Sequence, residues 1–342
     1  MRKLLYTLIF LLLVGALRAQ EIHFSQFWAN PLLLNPAFSG NSGCSLFAGL
    51  DYRSQDGSIG VPYVTESAIV DGRLRPAFIG YGWFGLGATF YADKAGDGAL
   101  KTTHAMGYFA YTMGFNKRET VFATVGVGVG RVWKSLNTDA LTSPSQAANI
   151  INNLPPGPFS IDITNSSLSY TDFNAGVLVN FLVNRGPRFI VGASLQHVNT
   201  PVVSFFSNNA NRLDWKMVFH AQAEYTLEDK FILRPGIMAS TMASTKEIIA
   251  GSNLLYGFYD VQLIGGLWVR VAGDIIPMAG LEYKGLTFIA SYDANISPLH
   301  KATHMAGGYE FSLIKTFNCG TEKRRRFEPC RNLEFSLLNH LQ

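Results

Sequence analysis

No internal run of about 20 apolar residues, the length an α-helix needs to cross a bilayer, occurs in this sequence, so a helical membrane bundle is excluded. Charge is scarce as well. Asp, Glu, Lys and Arg make up 15% of the chain, against roughly 25% in ordinary soluble domains. The basic residues form no stripe interleaved with aromatics, which argues against a nucleic-acid partner. Catalytic signatures are missing. His300 and His304 stand four apart with no zincin Glu between them, and no serine sits in a G-x-S-x-G elbow. Gly126, Gly128 and Gly130 form a G-x-G-x-G run inside a strand-like stretch, with no helix after it to make a phosphate cradle. They read as packing space on an inner face. Asp93 and Asp97-Gly98 are explained by turn chemistry. No enzyme activity, metal or cofactor is expected.

Cysteine is limited to Cys44, Cys319 and Cys330. An odd count in an exported chain permits one bridge. Cys319 and Cys330 lie close together past the last strand and make the expected pair, with three unpaired thiols as the other reading.

The chain is rich in aromatics, 13%, and in glycine, 33 residues. Its long apolar run is at the start. Met1, Arg2 and Lys3 precede an apolar core from Leu4 to Leu17, and small Ala19 precedes Gln20. This is the tripartite pattern of a secretory signal peptide, 1–19, cleaved to leave Gln20 first. Residues 20–44 follow as an irregular periplasmic or plug-like segment. It carries two Asn-Pro steps, Asn30-Pro31 and Asn35-Pro36, that interrupt helix and strand alike.

From about residue 45 apolar side chains recur at period two. In 81–91, Phe84, Leu86, Ala88 and Phe90 alternate with Gly85, Gly87, Thr89 and Tyr91. In 217–225, Met217, Phe219, Ala221, Ala223 and Tyr225 alternate with Val218, His220, Gln222 and Glu224. The second face is rich in Gly, Thr, Asn and Ser and poor in Lys and Glu, unlike the wet face of a soluble sandwich. Lumenal acids such as Glu224 and Glu310 have arginines available as partners. The pattern predicts an all-β transmembrane antiparallel barrel over 45–316, of roughly fourteen strands within a range of about 12–16.

The strands are expected at 45–54, 63–73, 78–91, 99–115, 120–133, 170–184, 188–197, 214–226, 230–241, 245–255, 258–269, 272–284, 286–296 and 303–315. Links after even-numbered strands are tight, as at Arg185-Gly186-Pro187, Tyr256-Gly257 and Lys284-Gly285. The longest, 134–169 and 198–213, follow odd-numbered ones. That parity places the start and the end of the barrel in the periplasm, on the side of the short turns. The Asn-, Ser- and Pro-rich 134–169 reads as an external loop folded over the mouth, or as disorder. A short periplasmic tail, 317–342, carries the basic run Lys323, Arg324, Arg325 and Arg326, either a docking site for an acidic partner or a solvated charge run.

The segment HFSQFWANPLLLNPAFSG, His23 to Gly40, closely resembles the N-terminal signature of the PorP/SprF family, outer-membrane proteins of the type IX secretion and gliding apparatus of Bacteroidetes. VGASLQHVNTP (Val191 to Pro201), LRPGIMAS (Leu233 to Ser240) and SYDANISPL (Ser291 to Leu299) are similar to the same family and fall in the expected order. The resemblance implies a place in the outer membrane of a Gram-negative cell. It also implies periplasmic type IX components as partners, and one dedicated cargo, such as a large adhesin with a C-terminal sorting domain. The tail is longer than the cysteine-containing end associated with the family. Residues 22–40, with His23, Phe24, Ser25, Gln26, Phe27, Asn30, Pro31, Asn35 and Pro36, are expected to dock on the periplasmic rim or on a partner there. The alternative function is an outer-membrane channel or transporter for small solutes.

Overall fold

The computed structural model describes residues 24–317, apart from 56–60, 80, 97–99, 116–119, 139–140, 142–145, 147–148, 150–151, 153–154, 156–164, 184–185, 207–210, 229, 272 and 297–305. A short helix α1 (Pro31–Leu34) and a 3-10 turn (Pro36–Phe38) precede fourteen strands. These are β1 (Leu46–Gln55), β2 (Tyr63–Leu74), β3 (Gly82–Ala95), β4 (Leu100–Gly114), β5 (Val121–Ser135), β6 (Ser167–Leu182) and β7 (Arg188–Gln196). They continue as β8 (Lys216–Glu228), β9 (Phe231–Met242), β10 (Thr245–Phe258), β11 (Val261–Arg270), β12 (Asp274–Tyr283), β13 (Leu286–Asn295) and β14 (Ala306–Phe317). Every strand pairs antiparallel with its sequence neighbour, and β1 pairs with β14 from Leu46↔Phe317 to Gln55↔Gly308. The sheet therefore closes and has no edge.

Closure matters because lipid offers no hydrogen bonds to an unpaired strand. The expected strands are all present. One turn lies further along than the sequence suggests: Tyr256 and Gly257 stay in the ladder opposite Leu263 and Gln262, and the chain reverses at Tyr259-Asp260. Tyr256 packs against Phe231 on the outer face, with the rings tilted and their centres 5.0 Å apart, which favours keeping it in the strand. Lys284 and Gly285 both have positive φ, 48° and 74°, the requirement of a two-residue hairpin turn that follows the strand twist.

Ladder pairing is interrupted at two outward-facing prolines. Between β8 and β9 it passes from Gln222↔Gly236 to Tyr225↔Leu233 around Pro235. Between β12 and β13 it passes from Ile275↔Ala294 to Met278↔Ser291 around Pro277. Proline has no N–H to give the ladder.

The barrel has two unlike ends. The links 75–81, 115–120, 183–187, 229–230, 259–260 and 284–285 are at one end, together with Leu46 and Phe317. The links 56–62, 136–166 and 197–215 are at the other. Most of 136–166, including the expected mouth-covering part, lies outside the described residues. Leu50, Val125, Val127, Phe219 and Leu267 face outward and are more than half exposed, a surface that suits lipid tails.

The core is inside the barrel. Phe24, Phe27, Leu32 and Leu34 of the N-terminal segment are buried against wall residues such as Phe47, Val218, Met238 and Trp268. Burying a side chain of this size contributes about 1.5–3 kcal/mol. The segment before β1 is thus part of the fold.

Candidate functional site

Phe24 to Cys44 thread the lumen from the long-loop end to the short-turn end. The direction follows from the contacts. Ser25 meets Arg53, Asp293 and Glu310, all near strand ends on the loop side, whereas Gly40 meets Asp71 and Gly85 near the turn side. The two Asn-Pro steps explain the path. Each proline opens a helical turn at the position where its missing N–H is not needed, and each asparagine ties that turn to the wall. Asn30 Nδ2 donates to Ser67 Oγ at 2.9 Å and to Asp51 Oδ2 at 3.3 Å. Asn35 Oδ1 accepts from the Ala37 amide at 2.9 Å, while its Nδ2 donates to the carbonyls of Val177 and Ala193 at 3.0 and 3.2 Å.

At the loop end the segment is latched by charge. Glu310 accepts the backbone N–H of Ser25 at 2.8 Å on one oxygen and that of Gln26 at 2.9 Å on the other. Ser25 Oγ donates to Asp293 at 2.7 Å and accepts from Arg53 at 2.7 Å and Arg270 at 2.8 Å. One donor and two acceptors is all a hydroxyl has, so this serine is fully used. Arg53 also pairs with Asp293 at 2.7 Å and Glu310 at 2.8 Å, and Arg270 with Glu247 at 2.9 Å and with Asp274. The latch residues are buried or nearly so, where removing one partner of an ion pair costs far more than at a surface.

Lower down, Ser194 Oγ and Gln196 Nε2 hold the carbonyls of Leu34 and Leu33, each at 2.7 Å. Trp28 stacks on Trp268 with ring centres 4.5 Å apart, and Phe38 stacks on His220 at 5.0 Å. At the foot, Asp71 accepts from the Gly40 amide at 2.6 Å. The wall makes room with glycine. A Cβ added at Gly126 would lie 2.5 Å from the Ala37 nitrogen, one at Gly85 would overlap the Ser39 carbonyl, and one at Gly176 would overlap the Asn35 side chain. The strand glycines read as packing space are, at these positions, a slot for the plug.

Above the latch, at the loop end, opens a vestibule of about 780 Å³. It is lined by Lys134, Arg212, Lys216 and Lys246, by Asp214, Glu247, Arg270 and Asp274, and by apolar Val203, Phe205 and Leu213. A cleft of about 60 Å³ beside Phe24, Phe27 and Met238 shares Lys216, Ser240 and Glu247 with it. No group of three or more metal-ligating side chains forms among the described residues. His197 Nδ1 instead bonds Asp172 at 3.0 Å.

The structure brings Phe24, Ser25, Gln26, Phe27, Asn30, Pro31, Asn35 and Pro36 together, inside the lumen rather than on its rim. Bonded to the wall, they present nothing to a partner unless the segment leaves the barrel. His23, Lys323, Arg324, Arg325, Arg326, Cys319 and Cys330 lie outside the described residues. The cysteine pairing needs correction. Cys44 is disulfide-bonded, and in a chain of three cysteines that leaves no bridge between Cys319 and Cys330. The reason is closure: Cys44 sits two residues before Leu46, whose partner across the seam is Phe317 near the C-terminus. Proximity in sequence is outweighed by proximity in the barrel.

Arg53, Arg270, Asp71, Trp268 and the wall glycines were not legible as a site. Glu310 and Glu224 were legible as lumenal acids, and their partners are Arg53 and Arg234.

A closed barrel with a lipid-facing exterior and its own N-terminal segment in the lumen defines a plugged outer-membrane β-barrel. The sequence matches one family model, "Type IX secretion system membrane protein PorP/SprF", over residues 16–314. The chain belongs to that family and is an outer-membrane component of the type IX secretion and gliding machinery, not an enzyme. No curated protein matches it. Similar solved structures include the toluene transporter TbuX of Ralstonia pickettii, at 10% identity and TM-score 0.49, covering 84% of this chain and 93% of that one. A FadL homologue of Pseudomonas aeruginosa has 9% identity and TM-score 0.45, covering 84% and 98%. At these values the likeness carries no argument about what passes through the barrel.

Proposed function

We propose that this barrel serves the secretion or surface attachment of one dedicated cargo, a large protein with a C-terminal sorting domain. On this reading it acts as a plugged scaffold rather than as an open pore. The observation that carries the reading is the plug: the lumen is filled by Phe24–Cys44, bonded to the wall along its length. A scaffold needs a rigid rim and no passage.

The periplasmic partner is a component of the type IX machinery. The basic run Lys323 to Arg326 supplies charge for an acidic surface there. Phe24 to Pro36 contribute indirectly, by fixing the wall that carries the rim. The leader 1–19 is removed on export. Deleting the gene and profiling surface and medium proteins tests the function. Loss of one large surface protein is expected, and an unchanged profile contradicts the reading. Neutralising Lys323 to Arg326 and recovering partners by pull-down tests the tail, and undiminished recovery rejects it.

A second reading, a path for small solutes, draws on the vestibule of about 780 Å³. Conductance or solute uptake in liposomes at the level of an open porin would favour it.

A further inference from the structure

On β3 to β6 the lipid-facing rows end, at the long-loop side, in basic and hydroxyl side chains. Lys94, Lys101, Arg131 and Ser169 are exposed there, with Thr171 half-buried beside them. They share the outward face with Phe90, Val127, Val129 and Phe173, each close to half exposed. At the loop ends of β8, β11 and β12 the outward residues Met217, Val269 and Ile275 are apolar. The polar rim belongs to one wall.

Its height follows from the strand. Between Val121 and Arg131 a strand tilted by about 40° rises roughly 25 Å, the height of the apolar band of an outer-membrane barrel. Arg131 therefore stands at the outer edge of that band, level with lipid headgroups. Trp133, next on the same face and exposed, has the apolar body and polar tip that suit this depth. Arg131 donates to Ser169 Oγ at 2.7 Å and to Thr171 Oγ1 at 3.4 Å. These bonds orient the guanidinium, which has five N–H groups in all and so keeps donors for a further acceptor. Lys94 and Lys101 are directly opposite one another across β3 and β4. Like charges so placed are unfavourable, and an anion beside them relieves the repulsion. Glu66, outward on β2, is opposite Ala92 rather than either lysine. Among the described residues no carboxylate forms an ion pair with Lys94, Lys101 or Arg131.

We infer that this rim is a seat for a phosphorylated glycolipid of the outer leaflet, with its phosphate on Arg131 and its acyl chains along Val127, Val129 and Phe173. The long-loop end of such a barrel faces the cell exterior. A planar guanidinium fork matches phosphate oxygens two at a time, and the lysine pair holds the anionic remainder of the headgroup. An acidic protein fits less well, because the seat runs without a break into side chains that face lipid. The seat lies on the outer wall, apart from the plug, and takes its ligand whatever the cargo.

The test uses the full barrel, purified from its own outer membrane in mild detergent, with the double variant R131Q/K101Q beside it. Native mass spectrometry counts the glycolipid that each retains. Both are then stripped of lipid and offered the purified glycolipid, its enzymatically dephosphorylated form, or inorganic phosphate. The parent should rebind the phosphorylated lipid and bind the dephosphorylated form about tenfold less, the worth of a single charge-assisted hydrogen bond. The double variant should show the same loss with the phosphorylated lipid. Equal binding of the two lipids by the parent overturns the proposal; this arm needs no variant, so a variant that fails to assemble leaves the test intact. Undiminished retention by the assembled double variant overturns it too. So does inorganic phosphate that binds as tightly as the lipid, because the apolar track then contributes nothing.

Discussion

Glu310 accepts two backbone amides of the plug and one guanidinium, and so joins the segment directly to the latch. Replacing it with Gln leaves Arg53 short of a buried partner. Breaking a buried pair this way costs about 3–5 kcal/mol. Ser25→Ala removes a neutral hydroxyl and should cost less, about 1–3 kcal/mol. Thermal unfolding followed by heat-modifiable gel mobility should rank E310Q below S25A and both below the parent. Equal midpoints would contradict the latch. At Gly85 the issue is space. Gly85→Val puts a branched side chain where the Ser39 carbonyl passes. Overpacking typically costs about 1–3 kcal/mol, and here the plug is expected to be displaced. Protease cleavage within 24–44 of the assembled barrel should appear in G85V and be absent from the parent. Protection in both would show that the slot is not filled.

At the scale of elements, strand alternation was legible because lipid on one side and a crowded lumen on the other impose opposite demands on successive residues. Phe84, Leu86 and Phe90 face out and Gly85, Gly87 and Thr89 face in, as the sequence pattern requires. The parity of link lengths was legible too, since short turns need few residues wherever they fall. What the plug touches was not legible. Contacts such as Ser25 to Glu310 span 285 positions, and no local period reports them. The family-like pieces contain several of them in hindsight: Ser194 and Gln196 in the second, Ser291 and Asp293 in the last. The disulfide was misread for the same reason. Leu46 pairs with Phe317 across the seam; in sequence Cys44 is two residues before the first and Cys319 two residues after the second. Peptide mapping without reduction should therefore recover Cys44 joined to Cys319, with Cys330 as a free thiol. A Cys44–Cys330 peptide, or none containing Cys44 in a bridge, would contradict it.

At the scale of the whole molecule, the barrel, its plug and its seam make one closed body in the outer membrane. The plug separates this chain from a general porin: Phe24–Cys44 run through the lumen bonded to the wall, with a cleft of about 60 Å³ beside Phe27. Purified barrel in a planar bilayer should show no steady conductance, and a variant lacking residues 24–40 should either conduct or fail to assemble. Steady porin-like current from the intact chain would contradict the scaffold role. The most direct measurement traps the plug in place. With Asn35→Cys and Gly176→Cys in one chain, the new side chains point at each other across the plug–wall contact, where a Cβ at Gly176 already overlaps the Asn35 side chain. Disulfide geometry tolerates only such neighbours. In native outer membranes the pair should cross-link nearly completely within the chain. Two thiols that stay reduced and freely reactive in a folded barrel would contradict the central claim.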